Sequence, residues 1–172
     1  MSKVNIPYNK QCIDGDDIQS VLNSLSGEYL TTGPEADLFE QDIAKYTGAK
    51  YAVVCSNGTS ALHMAMQVLD LEVCDTVLTS PITFIADANA ARFVGSQVLF
   101  ADICKETGNL DPISVRKILL ERPDIKTIIP VHFAGCPIDV LEFYKISQEF
   151  GVNIVEDACH ALGATYQNED GV

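Results

Sequence analysis

The sequence has 172 residues, of which 47% are hydrophobic, and this is enough for one domain with a buried core. Its 24 acidic and 11 basic residues give a net charge of −13, which repels a polyanion and argues against nucleic acid as the main partner. The six cysteines are spread singly without the spacing of zinc ligands, so we expect no bound metal. No apolar stretch is long enough for the core of a signal peptide or for a membrane span. We therefore expect a cytoplasmic protein with reduced thiols.

Two helices separated by a loop are predicted at the start of the chain. They cover residues 13–27 and 33–48, and the second has Pro34 just inside its start and Gly48 just past its end, as these residues prefer. The loop between the helices has the sequence EYLTTG. We therefore expect residues 1–50 to form a helical arm that carries this loop.

Five short apolar segments rich in β-branched residues follow, and they predict the strands of a sheet. The segments are 51–56, 76–80, 97–101, 126–131 and 152–156. Helical patterns occur between them, notably at 60–69, 111–122 and 139–151. This alternation indicates crossover units, and it predicts an α/β fold of three αβα layers in which a mainly parallel sheet is covered on both faces.

Residues that follow a predicted strand are the first candidates for a ligand site, because ligands of open α/β sheets bind outside the carboxyl ends of the strands. After the first strand, Gly58, Thr59 and Ser60 bring hydroxyls and backbone N–H groups to the start of a helix, which suits a phosphate monoester. An ordinary turn with a Ser or Thr cap is the alternative interpretation. The stretch matches neither of the two familiar glycine-rich nucleotide motifs.

Two other strand ends carry an aromatic ring and an imidazole. Phe84 follows the second strand, where its face could lie against a planar ligand, and a core phenylalanine is the alternative. His132 follows the fourth strand and is a secondary catalytic candidate, with a hydrogen-bonded loop histidine as the alternative.

The last predicted strand leads into Glu156, Asp157 and then His160. Asp157 could cap a turn and Glu156 could point to solvent. A carboxylate at the floor of a cleft is also the partner that a protonated heteroaromatic nitrogen needs, because the ion pair stabilises the charged ring, and His160 could reach the same ligand. The strand ends thus offer a phosphate cradle, a stacking surface and an acidic partner, the three chemical needs of pyridoxal phosphate.

Five motifs occur in the order and spacing of the DegT/DnrJ/StrS family of sugar aminotransferases, which the chain resembles over essentially its whole length: YLTTGP, SNGTSALH, SPITFIADANA, PVHFAG and VEDACHALGA. The resemblance implies the fold of type I pyridoxal-phosphate-dependent transferases, which is that of aspartate aminotransferase. The stretches IPY, SPITFIADANA and VHFAG are most similar to members that aminate UDP-4-keto-6-deoxy-N-acetyl-hexosamine in pseudaminic acid and surface-glycan biosynthesis.

The resemblance also implies roles for individual residues. Gly58, Thr59 and Ser60 would hold the cofactor phosphate, and Phe84 would stack on the pyridine ring. Asp157 would act in catalysis by pairing with the ring nitrogen, and His160 would lie near the phenolic oxygen of the ring. The nucleotide-sugar would be met by Tyr8, Glu28, Tyr29, Leu30 and Thr31.

The family's Schiff-base lysine lies beyond the VEDACHALGA motif, and the chain ends before reaching it. We therefore expect residues 1–172 to be the amino-terminal part of the cofactor-binding large domain, with 51–172 as its parallel core and the small carboxy-terminal domain missing. The resemblance implies a homodimeric complete enzyme that takes glutamate as amino donor and a nucleotide-sugar as acceptor. The present chain alone would be inactive.

Three alternatives stay open at this point. Some family members have a histidine in place of the lysine and dehydrate the sugar at C3 instead of aminating it. The chain could instead be a truncated piece without catalytic activity. A nicotinamide-dependent enzyme shares the alternation of strands and helices, but the sequence lacks its glycine fingerprint after the first strand.

Overall fold

A computed structural model describes residues 10–166 of the chain. The chain divides into two compact units, and the boundary between them lies between Val53 and Val54. No helix among residues 10–166 combines the length and the apolar character needed to cross a bilayer.

Between residues 10 and 53, the first unit contains two helices, α1 (Gly15–Leu25) and α2 (Pro34–Thr47). Asp14 caps α1: its side chain accepts hydrogen bonds from the N–H groups of Asp16 and Asp17, and the Asp17 side chain accepts one from the Asp14 N–H. Helix α2 ends at Gly48, whose φ of 74° is the left-handed conformation that glycine adopts without strain. Both predicted helices are confirmed.

The described part of the second unit contains four α-helices, one 3₁₀ helix (Phe133–Gly135) and four strands. The helices are α3 (Gly58–Val68), α4 (Ala86–Phe93), α5 (Pro112–Glu121) and α6 (Val140–Phe150). The strands are β1 (Thr76–Thr79), β2 (Gln97–Phe100), β3 (Ile125–Ile129) and β4 (Asn153–Ile154). All pairings are parallel, and the strand order across the sheet is β2-β1-β3-β4.

Successive residues of the central strands point to opposite faces of the sheet, and each face has its own apolar core. Leu78 of β1 and Ile128 of β3 pack with side chains of α5 and α6. Val77 and Ile129, their neighbours in sequence, pack instead with side chains of α3 and α4. These two clusters make the three-layer αβα fold, and the prediction of a parallel sheet covered on both faces is confirmed.

The predicted strand at residues 51–56 is wrong, because residues 51–55 form neither helix nor strand. Tyr51 and Val53 are 76% and 74% exposed. The apolar, β-branched composition of this segment gives it only a preference for extended backbone. A strand also requires a ladder of hydrogen bonds to a neighbouring segment, and composition does not supply that neighbour.

Replacing Leu119 by alanine should destabilise the second unit, because Leu119 is only 6% exposed within the core under α5. We expect the free energy of unfolding to fall by about 2–4 kcal/mol, measured by urea denaturation. Leu120 is the matched control, since it follows in the same helix and is 76% exposed. Leu120→Ala should change the free energy of unfolding by less than about 0.5 kcal/mol. Equal effects of the two substitutions would contradict the assignment of this core.

Candidate active site

The strand order creates a crevice at the carboxyl ends of β1 and β3. The chain leaves β1 toward α4 on one face of the sheet and leaves β3 toward α6 on the other. Connections that depart to opposite faces leave an opening between them, and this is where ligands of such sheets bind.

Asp157 is fixed at this edge by its own backbone. Its N–H donates to the carbonyl of Pro130 (2.9 Å), and its carbonyl accepts from the N–H of His132 (3.1 Å). These two bonds form a parallel bridge between Asp157 and Val131, just past the end of β3. Asp157 is 7% exposed. The main chain therefore holds a largely buried carboxyl group at the floor of the crevice.

The first turn of α3 provides the groups predicted to bind phosphate. Asn57 caps this helix by accepting a hydrogen bond from the Ser60 N–H (2.9 Å), so the cap is an asparagine and neither Thr59 nor Ser60. The Ser60 hydroxyl lies 3.1 Å from that of Ser56. Within residues 10–166, the N–H groups of Gly58 and Thr59 have no hydrogen-bond acceptor. This helix start can therefore offer two free N–H groups and the hydroxyl of Thr59 to an anion.

Gly58 brings the start of α3 close to the turn that carries Asp157. A Cβ atom on Gly58 would lie 3.0 Å from the Sγ atom of Cys159, which is too close unless Cys159 moves. The Cys159 N–H in turn donates to Oδ1 of Asp157 (3.0 Å). The missing side chain at position 58 thus allows the predicted phosphate site and the predicted ring-nitrogen partner to lie side by side.

Phe84 lies in the segment that follows β1, and its side chain is 71% exposed. The alternative of a core phenylalanine is therefore wrong. An exposed aromatic ring at the carboxyl edge of the sheet presents a flat apolar surface to a ligand.

Asp87, in the first turn of α4, is an acidic residue of this site that the sequence analysis missed. It is completely buried, and Oδ2 accepts a hydrogen bond from the Thr83 hydroxyl (2.6 Å). Burial, with a smaller effect from the charge of nearby Asp157, raises the pKa of Asp87 to about 7. The only signal in the sequence is an acidic residue among the small side chains of IADANA.

His132 is a structural residue in this geometry. Its Nδ1 accepts the N–H of Ile138 (3.2 Å), so the ring proton lies on Nε2, which donates to Glu156 (2.8 Å). His132 is 5% exposed. Both ring nitrogens are thus engaged, as the alternative of a hydrogen-bonded loop histidine predicted, and Glu156 serves as the partner of His132.

The other residues predicted for the site are His160, the segment from Glu28 to Thr31, and Tyr8. His160 is exposed. Its backbone passes close to Gly135 in the turn after β3, since a Cβ atom built on Gly135 would lie 3.0 Å from the His160 carbonyl oxygen. The segment from Glu28 to Thr31 forms the connection between α1 and α2 in the first unit, where Tyr29 and Leu30 line a groove of about 390 Å³. Tyr8 lies outside the described residues.

The groups at the crevice fit the chemistry of pyridoxal phosphate. The unengaged N–H groups at the start of α3 suit its phosphate, and the exposed ring of Phe84 suits its pyridine face. Asp157 supplies a carboxyl group for a protonated ring nitrogen. All of these groups belong to the second unit.

Comparison with known proteins gives a consistent picture. The model of the DegT/DnrJ/EryC1/StrS aminotransferase family matches residues 11–171. A UDP-4-amino-4,6-dideoxy-N-acetyl-beta-L-altrosamine transaminase of Campylobacter jejuni is 38% identical over 165 residues, which is 95% of this chain and 43% of that protein.

Solved structures agree in fold. PseC of Helicobacter pylori, an aminotransferase involved in the biosynthesis of pseudaminic acid, has a TM-score of 0.87 and 32% identity over 94% of this chain and 43% of its own. NtdA of Bacillus subtilis, solved with bound cofactor PMP, has a TM-score of 0.82 and 30% identity over 89% of this chain and 36% of its own. The chain therefore spans less than half the length of these relatives, and the predicted fold is confirmed over that part.

The thiol of Cys159 provides a chemical probe of this site. A hydrogen bond to Asp157, together with partial burial, raises the pKa of this thiol to about 11. Because only the thiolate reacts with iodoacetamide, Cys159 should be alkylated slowly at pH 8. Asp157→Asn should accelerate this reaction by about tenfold or more. Peptide mass spectrometry measures the rate, with the exposed Cys136 as internal control. An unchanged rate at Cys159 would contradict the contact with Asp157.

Proposed function

The chain belongs to the DegT/DnrJ/EryC1/StrS aminotransferase family, and we propose that the complete protein transfers an amino group from glutamate to a nucleotide-linked 4-keto-6-deoxy sugar. The family depends on pyridoxal phosphate, the cofactor that the groups at the crevice fit. We propose UDP-4-keto-6-deoxy-N-acetyl-hexosamine as the sugar, which would place the protein in pseudaminic acid and surface-glycan biosynthesis. The similarity to the C. jejuni transaminase and to H. pylori PseC supports this choice.

The observation that carries the proposal is the position of Asp157. Asp157 is 7% exposed, and two backbone hydrogen bonds hold its main chain at the carboxyl edge of the sheet. Such a fixed carboxylate can pair with a protonated ring nitrogen and raise the pKa of that nitrogen. Pyridoxal phosphate, when bound, supplies an electron sink, and the charge that Asp157 keeps on its ring makes that sink effective.

The start of α3 would anchor the phosphate. The N–H groups of Gly58 and Thr59 and the hydroxyls of Thr59 and Ser60 are the donors that we assign to it. The N–H of Ser60 is excluded because Asn57 already accepts its hydrogen bond. The positive end of the helix dipole favours a dianion here, despite the net charge of −13 on the chain.

Phe84 and His160 would complete the cofactor site. The exposed ring of Phe84 would cover one face of the pyridine ring and keep water from it. We assign His160 to the neighbourhood of the phenolic oxygen, where an imidazole can donate a hydrogen bond. On the sugar side we propose Tyr8 and the segment from Glu28 to Thr31, with a homodimer as the working form.

We expect the 172-residue chain by itself to be inactive, because the reaction needs an amine near Asp157 to carry a proton. The four lysines in the described part of the second unit lie elsewhere. Lys117 is in α5, Lys145 is in α6 beside Glu142, Lys126 is near the amino end of β3, and Lys105 is in the turn after β2, which β1 and β3 separate from β4. A purified chain mixed with pyridoxal phosphate should show no imine absorbance band that survives dialysis. A stable band with transaminase activity would contradict this expectation.

Replacing Asp157 by asparagine in the complete protein should leave the cofactor bound but lower kcat by about 100-fold or more, because the amide cannot hold the charge of the ring nitrogen. Glu156→Gln is the matched control, since it alters the adjacent carboxylate, which contacts His132. We expect its kcat to stay within about threefold of wild type. Near-normal turnover in Asp157→Asn, measured with glutamate and the keto-sugar, would exclude this role.

Replacing Phe84 by alanine should weaken cofactor binding by about tenfold, because a stacked aromatic contact contributes roughly 1 kcal/mol beyond its area. Ile85→Ala is the control, since Ile85 is the next residue and is 64% exposed. Equilibrium titration with pyridoxal phosphate, followed by absorbance, measures both affinities. Equal losses in the two variants would argue against stacking by Phe84.

Product analysis distinguishes amination from dehydration. The complete protein, supplied with glutamate, pyridoxal phosphate and the UDP-linked 4-keto sugar, should form an amino sugar and 2-oxoglutarate in equal amounts. Mass spectrometry and an assay for 2-oxoglutarate follow the two products. A keto sugar that lacks the C3 oxygen and carries no amino group would identify the sugar dehydratase of the same family instead. Removal of that oxygen takes two electrons from glutamate, so 2-oxoglutarate forms in both reactions, and the sugar product together with released ammonia separates them.

A further inference from the structure

Asp87 is a buried carboxyl group for which the described residues provide no positive partner. It is 0% exposed and lies at the start of α4, among the buried side chains of Ala86, Ala90 and Ala91. None of the ion pairs in the part of the chain that the structure describes includes it. A carboxylate in such surroundings is costly, and the usual remedy is to keep a proton.

The surroundings of Asp87 show where that proton would lie. Oδ2 accepts the hydroxyl of Thr83 at 2.6 Å, whereas the buried Oδ1 has no hydrogen-bond partner. A proton on Oδ1 would turn this oxygen into a donor. The carboxylate of Asp157 is the charged neighbour of Asp87 and can accept a hydrogen bond from that proton.

The groups that face Asp87 favour a single proton shared between Asp87 and Asp157. Asp157 and Cys159 face it from the turn after β4. The Thr83 hydroxyl donates to it from the segment before α4, whereas the Thr79 hydroxyl of β1 donates its proton to the Ile129 carbonyl (2.8 Å). Both titratable neighbours are acids, and both hydroxyls are neutral. Burial and the charge of Asp157 accordingly raise the pKa of Asp87 to about 7.

We propose that Asp87 is a positioning residue that shares one proton with Asp157, donates it as a hydrogen bond to the Asp157 carboxylate, and leaves that carboxylate as the single charge of the pair. The inference deepens the proposed function, because it rests on Asp157 as the partner of the ring nitrogen. Below about pH 7 the O–H group of Asp87 orients an anionic Asp157. Above about pH 7, Asp87 ionises and adds a second negative charge at the floor of the crevice. The electric field at the ring nitrogen therefore depends on pH.

Carboxyl NMR tests the pair directly in the complete protein without added cofactor. With aspartate labelled by ¹³C at Cγ, we expect one carboxyl signal to titrate near pH 7 and to be missing in Asp87→Asn. In Asp157→Asn, the same signal should titrate at lower pH, because the neighbouring charge is gone. If every aspartate titrates below pH 5, or if Asp157→Asn leaves the signal unchanged, the inference fails. The wild-type titration is informative even if Asp87→Asn does not fold.

Stability provides a second measurement with a definite sign. The pKa of Asp87 rises from 3.8 to about 7 on folding, so the wild type loses stability as pH increases through this interval. The stability of Asp87→Asn relative to wild type should therefore increase from pH 4 to pH 7 and level off above pH 8. Asp37→Asn, at an exposed position of α2, is the control and should show no such change. A constant difference between Asp87→Asn and wild type would overturn the inference.

A cofactor titration separates this inference from the proposed function. Addition of pyridoxal phosphate to the same sample should produce an absorbance band and shift the carboxyl signal of Asp87. If the signal near pH 7 is present but the cofactor gives no band, the proposed function fails and the shared proton stands. If the band forms but no carboxyl titrates near pH 7, the proposed function stands and the role of Asp87 is refuted.

Discussion

Two backbone hydrogen bonds at the end of β3 determine the geometry of this site. The Asp157 N–H donates to Pro130, and the His132 N–H donates to Asp157, so the chain after β4 continues in parallel register for one more residue. This register places the carboxyl group of Asp157 at the edge of the sheet without any help from its side chain. The side chain is therefore free to bind Cys159 and to meet Asp87 and a ligand.

The crevice combines a region that suits an anion with a region that suits a cation. The start of α3, with two free N–H groups, is suited to a dianionic phosphate, whereas Asp87 and Asp157 are suited to a cationic ring nitrogen. Gly58 allows these two regions to lie next to each other, since a Cβ atom there would lie 3.0 Å from the Sγ atom of Cys159 and would require that side chain to move. Together they form a dipolar surface, which matches a ligand that carries a phosphate at one end and a protonated nitrogen at the other.

The sequence allows site residues to be proposed where their position after a strand is the signal. For Phe84 the sequence allows a stacking surface or a core residue, and its 71% exposure excludes the core. Asp157 was identified because a buried strand led directly into a carboxylate. Asp87 was missed because its significance depends on burial and on the approach of Asp157, from a segment seventy positions away in the sequence. Periodicity within a helix does not report such a neighbour.

The sequence alone determined the elements that have local signals. Asp14, Asp111 and Asp139 cap their helices through side chains that reach only the next few N–H groups, and Gly48 and Gly151 end theirs in the left-handed conformation. These interactions are short in sequence, so a pattern of residues is sufficient to find them. The alternation of strands and helices also predicted a parallel sheet, because a helix between two strands carries the chain back to the same edge of the sheet.

Only the tertiary structure decided which apolar segments became strands and which side chains met. Residues 51–56 have the composition of a strand, but residues 51–55 form none, whereas β1 is a strand because β2 and β3 lie on either side of it. A strand and a buried carboxyl pair share one physical property. Both are made by partners that are distant in sequence, and such partners are chosen by the packing of the whole unit.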